Sequence, residues 1–513
     1  MLLAVLVGVV TVLFVLALVG PKRSHPSPPG PKPLPVVGNI FDLTSHELWV
    51  RVAGWAKTYG ATVYLHVFGQ GLLFLNTQEA ATDLLEKRGA IYSDKPPLVM
   101  AGDLCGCENM VAFTRYGDKS RRQRRLMQKA LGPSAIPSYH PLLEIEAQAL
   151  LKRFLDEPAK FEGHVRRYAG SLVLLVIYGH RVTSNNDPLL DLAEESVDIL
   201  SNRIASGGGI WPVDVFPFLK HLPPWFPGAG FRRRAIQWKA KMEEFVDRPF
   251  EGVKARMKEG TAVRSFCTIL LDEGIGEKEG NKQLDFDVRW TANSMYGAGM
   301  ETTMTAIRYF LLLMELHPEV AAKARQEIDA VVGPNRLPTF ADRPFLPYTD
   351  AIMKECLRWG TPVPLGLPHR LMEDDVYNGM FIPRGTLVFA NNWQMSRDPT
   401  IFPDPEAFNP DRYMEPAEPA LAAKRDPASF VFGFGRRRCP GLHLLESSFW
   451  IVVASVLATL DVRKERDERG REIEPAVVFD NAVFRSPNAF PCAIEPRSSD
   501  AARLINTTVS LNA

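Results

Sequence analysis

The chain has 513 residues, 46% of them hydrophobic, with 60 Lys and Arg balanced by 59 Asp and Glu. Such balance argues against a nucleic-acid binder, and the length allows about two to four domains or one large α-rich enzyme. Six cysteines (Cys105, Cys107, Cys267, Cys356, Cys439, Cys492) are too sparse for a disulfide framework, which points to a reducing compartment.

Residues 1–20 are apolar and uncharged. As a helix they would extend about 30 Å, roughly the hydrocarbon thickness of a bilayer. Lys22 and Arg23 follow the apolar run instead of preceding it, so it reads as an uncleaved transmembrane anchor, not a secretory signal. The positive-inside rule then leaves the rest of the chain in the cytosol, and the expected location is the endoplasmic-reticulum membrane, single-pass. Residues 21–38 read as a basic, proline-rich hinge in which the prolines of 26–35 make an extended spacer. Residues 39–500 are expected to form one domain and 501–513 a C-terminal tail.

Alternating apolar residues predict strands at 62–68 and 72–76. Helical periodicity appears at 80–88, 188–204 and 234–258. Between the last two, Gly207-Gly208-Gly209 and a Pro-, Phe- and Trp-rich stretch at 211–230 rule out a continuous helix. Leu219, Leu222, Trp225 and Phe226 suit either a core or a bilayer interface. Residues 258–282, charged and glycine-containing, predict a loop. Cys105-Gly106-Cys107 lacks a second ligand pair and reads as two ordinary thiols.

A long helical pattern at 287–316 carries Ala298-Gly299-Met300-Glu301-Thr302-Thr303. Glycine inside a helix costs about 1 kcal/mol relative to alanine. Gly297 and Gly299 therefore predict close approach to something flat, or a local widening. Thr302 can bond back to a carbonyl one turn earlier. On the helix predicted at 349–359, Glu355 and Arg358 share one face. Residues 362–370 read as a turn leading into strand-like residues and end in His369-Arg370.

The most informative stretch is Phe432-Gly433-Phe434-Gly435-Arg436-Arg437-Arg438-Cys439-Pro440-Gly441. It sets one cysteine in a glycine-rich turn ahead of a helical pattern. A thiolate there could ligate haem iron, with amide N–H groups facing the sulfur; a buried cysteine beside a basic turn is the plain alternative. Pro440 suits the first turn of the following helix. Asn506-Thr507-Thr508 is a glycosylation sequon on the side that the anchor places in the cytosol, and reads as an unused match.

Together these motifs resemble those of the cytochrome P-450 haem-thiolate monooxygenases. Residues 432–441 match F-G-x-G-x-R-x-C-x-G, residues 298–302 match A-G-x-[DE]-T, and Glu355 with Arg358 match E-x-x-R. The resemblance runs from residue 1 to about residue 500. It implies a mainly α fold with small β-sheets, preceded by one transmembrane helix, and haem b as cofactor with Cys439 as the axial iron ligand. Glu301 and Thr302 would be the catalytic pair that manages protons for dioxygen. Arg437, His369 and Arg124 would bind the haem propionates. The E-x-x-R pair would be completed by Arg412 into a buried structural network.

The family's W-x-x-x-R helix is similar to residues 116–124, but Ser120 stands at the tryptophan position, which predicts weaker haem retention. Lys119, Arg121, Arg122, Arg124, Arg125, Lys129, Arg436 and Arg438 would form a docking patch for NADPH–cytochrome P-450 reductase. No nucleotide-binding glycine fingerprint is evident, so electrons are expected from a partner.

Stretches at 84–89, 227–231 and 392–399 are similar to fungal microsomal members that act in secondary metabolism, the O-methylsterigmatocystin oxidoreductase type among them. The implied reaction places one atom of dioxygen in a hydrophobic terpenoid, polyketide or indole, in a pocket lined from 96–111, 293–298, 363–367 and 482–484. A reductase-independent isomerase or dehydratase is one alternative, opposed by the intact Glu301-Thr302 pair. A non-catalytic haem-binding protein is the other, and Ser120 is its only support.

Overall fold

The computed structural model of the chain describes residues 25–43, 47–205, 211–274, 282–480 and 483–512. The anchor expected at 1–20, Gly207-Gly208-Gly209 and Ala482 lie outside the described residues. The longer helices are α1 (Leu48–Tyr59), α2 (Asp118–Leu131), α3 (His140–Asp156), α4 (Phe161–Tyr178), α5 (Pro188–Asp198), α6 (Gly230–Lys258), α7 (Phe266–Gly274), α8 (Lys282–Leu316), α9 (Pro318–Val331), α10 (Pro347–Gly360), α11 (Leu442–Thr459) and α12 (Ser499–Asn512). The strands are β1 (Thr62–Val67), β2 (Gln70–Leu75), β3 (His369–Arg370), β4 (Asp375–Tyr377), β5 (Met380–Ile382), β6 (Leu387–Ala390), β7 (Leu460–Arg463) and β8 (Ala493–Pro496). The mainly α architecture with small sheets agrees with the expectation.

Helix α8 is central because its C-terminal turns are enclosed on every side. Tyr309, Phe310, Leu311, Leu312, Leu313 and Met314 are all buried, and a helical stretch that is apolar all round must be enclosed. It lies against α2, α4, α10 and α11. Helix α11 is, among the described residues, the one helix long and apolar enough to cross a membrane. Phe449, Trp450, Ile451, Val452 and Val453 are nevertheless buried within the body, so α11 is a core helix.

Helix α7 corrects the loop expected at 258–282. Phe266, Cys267 and Leu270 are buried, and α7 packs on α8 and α4. Its start is reciprocally capped: Thr268 Oγ1 accepts from the N–H of Ser265, and Ser265 Oγ accepts from that of Thr268. Tertiary packing outweighs the charge and glycine around it.

In the main sheet the order is β1-β2-β6-β3. β1 and β2 form an antiparallel hairpin, β2 pairs in parallel with β6 (Leu72 opposite Leu387), and β3 closes on β6 with His369 opposite Val388. This register brings a histidine from late in the chain beside a hairpin from its beginning.

The proline run is bonded to this body. Pro29 O accepts from Tyr64 N at 2.9 Å, Pro26 O accepts from Phe381 N at 2.7 Å, and Gly38 bridges Val67. A Cβ on Gly30 would sit 1.9 Å from Tyr64 O, so only glycine permits that approach. At the other end of the chain, α12 lays Ile505 into the core against α3.

Candidate active site

The cysteine loop is shaped by glycine. Gly433 and Gly435 have φ of +74° and +54°, a region that L side chains rarely enter. A Cβ on Gly435 would lie 2.2 Å from Leu85 O, so this glycine lets the loop rest on the turn at Thr82–Lys87. Cys439 N donates to Phe432 O at 2.8 Å and closes the loop.

Helix α11 begins at Leu442 with Gly441 as its N-cap. This corrects the placement of Pro440 in the first turn: it lies before the cap. The N–H groups of Gly441 and Leu442 are turned to the Cys439 sulfur, and a helix begun earlier would aim those donors elsewhere. Cys439 is the one exposed cysteine of the six. The protein atoms packed around it push its thiol above the usual range, opposed by the Gly441 N–H, the Arg124 guanidinium and the Leu442 N–H. A sulfur that keeps an open side and has fixed donors on the other is suited to ligate a metal as thiolate.

Four basic side chains converge nearby. Lys95, buried, donates to the carbonyl oxygens of Leu367 and Pro368, each at 3.1 Å. His369 is buried, with Nδ1 2.8 Å from Tyr92 O. Arg437 donates through Nε to Ser93 O at 2.8 Å and through Nη2 to Thr114 O at 2.8 Å. Arg124 donates to Arg438 O. Burial, then the charges of Arg437 and Arg124, hold the Lys95 ammonium well below its usual range. Burial, then Lys95, does the same to His369. Burial, then Arg124, brings Arg437 down to about 10.

The nearest acid, Asp94, is already engaged by Arg115, by the N–H of Tyr116 and by Arg370. The cluster therefore carries buried positive charge that an anionic group would relieve. The donor set fits a haem: a thiolate candidate for the iron, and cations for two carboxylates. Of the residues brought together here, the sequence pointed to Arg124, His369 and Arg437 and not to Lys95, because a lysine followed by two prolines carries no sign that it is buried.

Ser120, one turn before Arg124 on α2, is fully buried, and its Oγ has no hydrogen-bond partner among the described residues. A small buried hydroxyl thus stands where the resemblance has an indole.

On α8, Thr302 Oγ1 donates to Ala298 O at 2.8 Å, the back-bond expected from its place. Burial raises the carboxyl of Glu301 to about 7; Arg308 opposes this, while Asp480, Glu194 and Asp198 add to it. The two glycines permit the close approach expected of them, and the structure shows what approaches. A Cβ on Gly297 would approach the Phe245 ring of α6 to 3.3 Å, and one on Gly299 would come within 2.8 Å of Val173 on α4. They admit neighbouring helices. Ser294 on α8 accepts from the N–H of Val111 at 2.9 Å, which ties the 96–111 segment over this helix. Asp214 holds the same segment by accepting from Met100 N at 2.8 Å.

Below the loop, Arg358 grips Glu355 with two bonds of 2.7 Å, and Arg412 adds one of 3.1 Å to the same carboxylate. All three are buried. Arg358 also donates to Ser396 O, Pro405 O and Ala407 O, so the network stitches α10 to the segment that precedes the cysteine loop.

The basic residues divide into two groups. Lys119, Arg121, Arg122 and Lys129 meet Asn109, Asp118, Asp287 and Glu273. Among the described residues, Arg124 and Arg438 bond to carbonyl oxygens and Arg436 to the Tyr116 hydroxyl, and Arg125 is exposed. The second group keeps its positive charge around the cysteine loop. Cys105 and Cys107 are buried free thiols, and no metal-binding cluster occurs among the described residues.

Comparison with known proteins agrees with this geometry. The profile of the cytochrome P450 family matches residues 28–488. The chain is similar to the cytochrome P450 monooxygenase claT of Ampulloclitocybe clavipes, at 42% identity over 94% of each chain. It is 40% identical to claR of the same fungus, over 94% of this chain and 89% of the relative. It is also 40% identical to cytochrome P450 monooxygenase 136 of Postia placenta, over 94% and 91%. An accessible, donor-flanked cysteine, a matching cation cluster and relatives of this closeness over nearly the whole length lead to one conclusion: the chain belongs to the cytochrome P450 family and is a haem-dependent monooxygenase.

Proposed function

We propose that this monooxygenase is anchored in the endoplasmic-reticulum membrane with its body in the cytosol. It receives NADPH-derived electrons from a reductase and hydroxylates or epoxidises a hydrophobic terpenoid, polyketide or indole in fungal secondary metabolism. The observation that carries the chemistry is the Cys439 sulfur, open on one side and faced by the N–H groups of Gly441 and Leu442. Bound haem supplies oxygen activation by a thiolate-ligated iron, of which this family is itself the general example. Cys439 would ligate the iron, and Lys95, Arg124, His369 and Arg437 would hold the carboxylates. Glu301 holds a proton near neutral pH, and Thr302 keeps a hydroxyl one residue away.

Exposed apolar and aromatic side chains support the membrane reading. Phe216 packs edge-on against Phe68 at 5.4 Å and lies next to Phe218. Phe218, Trp225, Phe226, Val36 and Phe41 are exposed, Trp225 by 78%, and aromatic side chains favour the bilayer interface. The charges of Arg125, Arg436 and Arg438, which the haem carboxylates do not claim, support docking of an acidic reductase. The apolar character of 96–111 and 363–367 supports a hydrophobic substrate.

The test is the carbon monoxide difference spectrum of the reduced protein, followed by NADPH consumption with reductase. A thiolate-type Soret band lost in Cys439→Ser, with reductase-dependent turnover that slows as salt rises, is expected. Protein without pigment, or a spectrum unchanged in that variant, would overturn the reading. Spectral shifts across a panel of terpenoids, polyketides and indoles identify the substrate class. Protease protection of the body inside microsomes would refute the topology.

A further inference from the structure

Helix α8 carries Glu301, Thr305 and Arg308 at spacings of four and three residues, which places them along one stripe. The stripe meets two other segments. Thr305 Oγ1 donates to Ser486 Oγ at 3.2 Å, and Arg308 Nη1 donates to the same oxygen at 3.3 Å. Arg308 is also paired with Glu162, in the first turn of α4, through Nε at 2.9 Å and Nη2 at 3.2 Å. The Arg308 side chain is 12% exposed and that of Glu162 33%. A polar line therefore leads from the interior at Glu301 to the edge of the body at Glu162.

The charges that act on Glu301 are unequal. Asp480, Glu194 and Asp198 favour its protonated form, and Arg308 favours the carboxylate. Glu194 is partly answered by Arg166. Arg308, however, is claimed by Glu162 and Ser486, which restrain it from turning its full charge on Glu301. We propose that Arg308, moored by Glu162 and Ser486, is a positioning residue that sets how readily Glu301 releases and regains its proton. This rests on the reading of Glu301 as the acid that serves oxygen. Glu301 gives a proton to oxygen, becomes a carboxylate and is reprotonated from solvent. Release of hydrogen peroxide consumes one NADPH and one further proton per dioxygen, and full reduction to two waters consumes two of each.

The experiment uses the haem-loaded enzyme with reductase and NADPH and no added substrate, so that electrons leave as peroxide or water. Peroxide formed per NADPH consumed is measured against pH, and the protonation of Glu301 is followed in the same variants without reductase, as the carboxyl infrared band that Glu301→Gln removes. The fraction is expected to rise as Glu301 loses its proton. Removing the cation in Arg308→Gln should move the midpoint up, on the order of one pH unit, and freeing it in Glu162→Gln should move it down by a similar amount. Arg308→Lys should stay close to the wild type, and Glu162→Lys, a change at the edge of the body, should move the midpoint further down. Opposite shifts are not what general loosening of the fold produces. Shifts of the same sign, or no shift from the Glu162 variants while Glu301→Gln flattens the profile, would overturn the proposal and leave the role of Glu301 intact. An unchanged profile in Glu301→Gln would instead remove that role, and the proposal with it.

Discussion

The ammonium of Lys95 donates to the carbonyl oxygens of both Leu367 and Pro368, which seats a buried cation immediately before His369. Its neighbours Arg437 and Arg124 repel it. Lys95→Met is therefore expected to have opposite effects on two states. The haem-free protein should unfold at a higher temperature, because repulsion is relieved. The haem-loaded protein should lose haem about tenfold faster, the equivalent of one charge-assisted hydrogen bond of roughly 1.5 kcal/mol. Melting of the haem-free chain and haem transfer to an acceptor protein measure the two effects.

Glu355 is held between two buried arginines. In Glu355→Gln those charges lose their counter-ion in a site without water access. The expected cost is about 3–5 kcal/mol, read as a lower urea midpoint and lower yield of folded protein. A loss confined to turnover, with stability unchanged, would contradict the structural role.

Glu301 gives a pH dependence whose sign can be worked out. Its carboxyl is raised from 4.5 to about 7 in the folded state. The favourable contribution is fully present below 4.5 and is lost as pH rises through about 7, because the unfolded chain then releases its proton more easily. Glu301→Gln should match the wild type in stability near pH 4.5. It should exceed the wild type at about pH 8.5, by a margin on the order of 1–3 kcal/mol. Thermal melts at the two pH values check this.

Thr302 shares its hydroxyl with the Ala298 carbonyl. Thr302→Ala removes the hydroxyl without emptying a core position and should leave stability within about 1 kcal/mol of the wild type. With substrate present, peroxide leakage per NADPH should rise severalfold. Equal product yield per NADPH in the two enzymes would remove Thr302 from proton handling.

The sequence made the short-range features readable. Phe432 to Gly441, Glu355 with Arg358, and Thr302 with Ala298 are contacts within a few residues, and spacing alone limits what they can do. What it hid was long-range. Lys95 meets a carbonyl 273 residues away, and nothing local marks that lysine as buried. Gly297 and Gly299 were legible as close approaches, but the Phe245 and Val173 that make them could be known only once the helices were packed. Helix α7 was obscured by the charged flanks of a short segment that tertiary burial stabilises. Ser120 was visible as a departure, and the structure adds that its hydroxyl is enclosed and unpartnered among the described residues.

The bonds from Pro26 to Phe381 and from Pro29 to Tyr64 have a mechanical outcome. The Pro29 bond moors the start of the described chain to the sheet whose hairpin tip, Phe68, touches Phe216, and the Pro26 bond ties it to the small β4-β5 sheet. The described chain thus leaves the body at a set heading relative to the Phe68–Phe216 pair, and under the proposed anchoring the body cannot turn about its membrane attachment without first breaking those bonds. Under that proposed anchoring, cutting them should randomise the tilt of the body on a lipid surface while leaving its chemistry in detergent untouched.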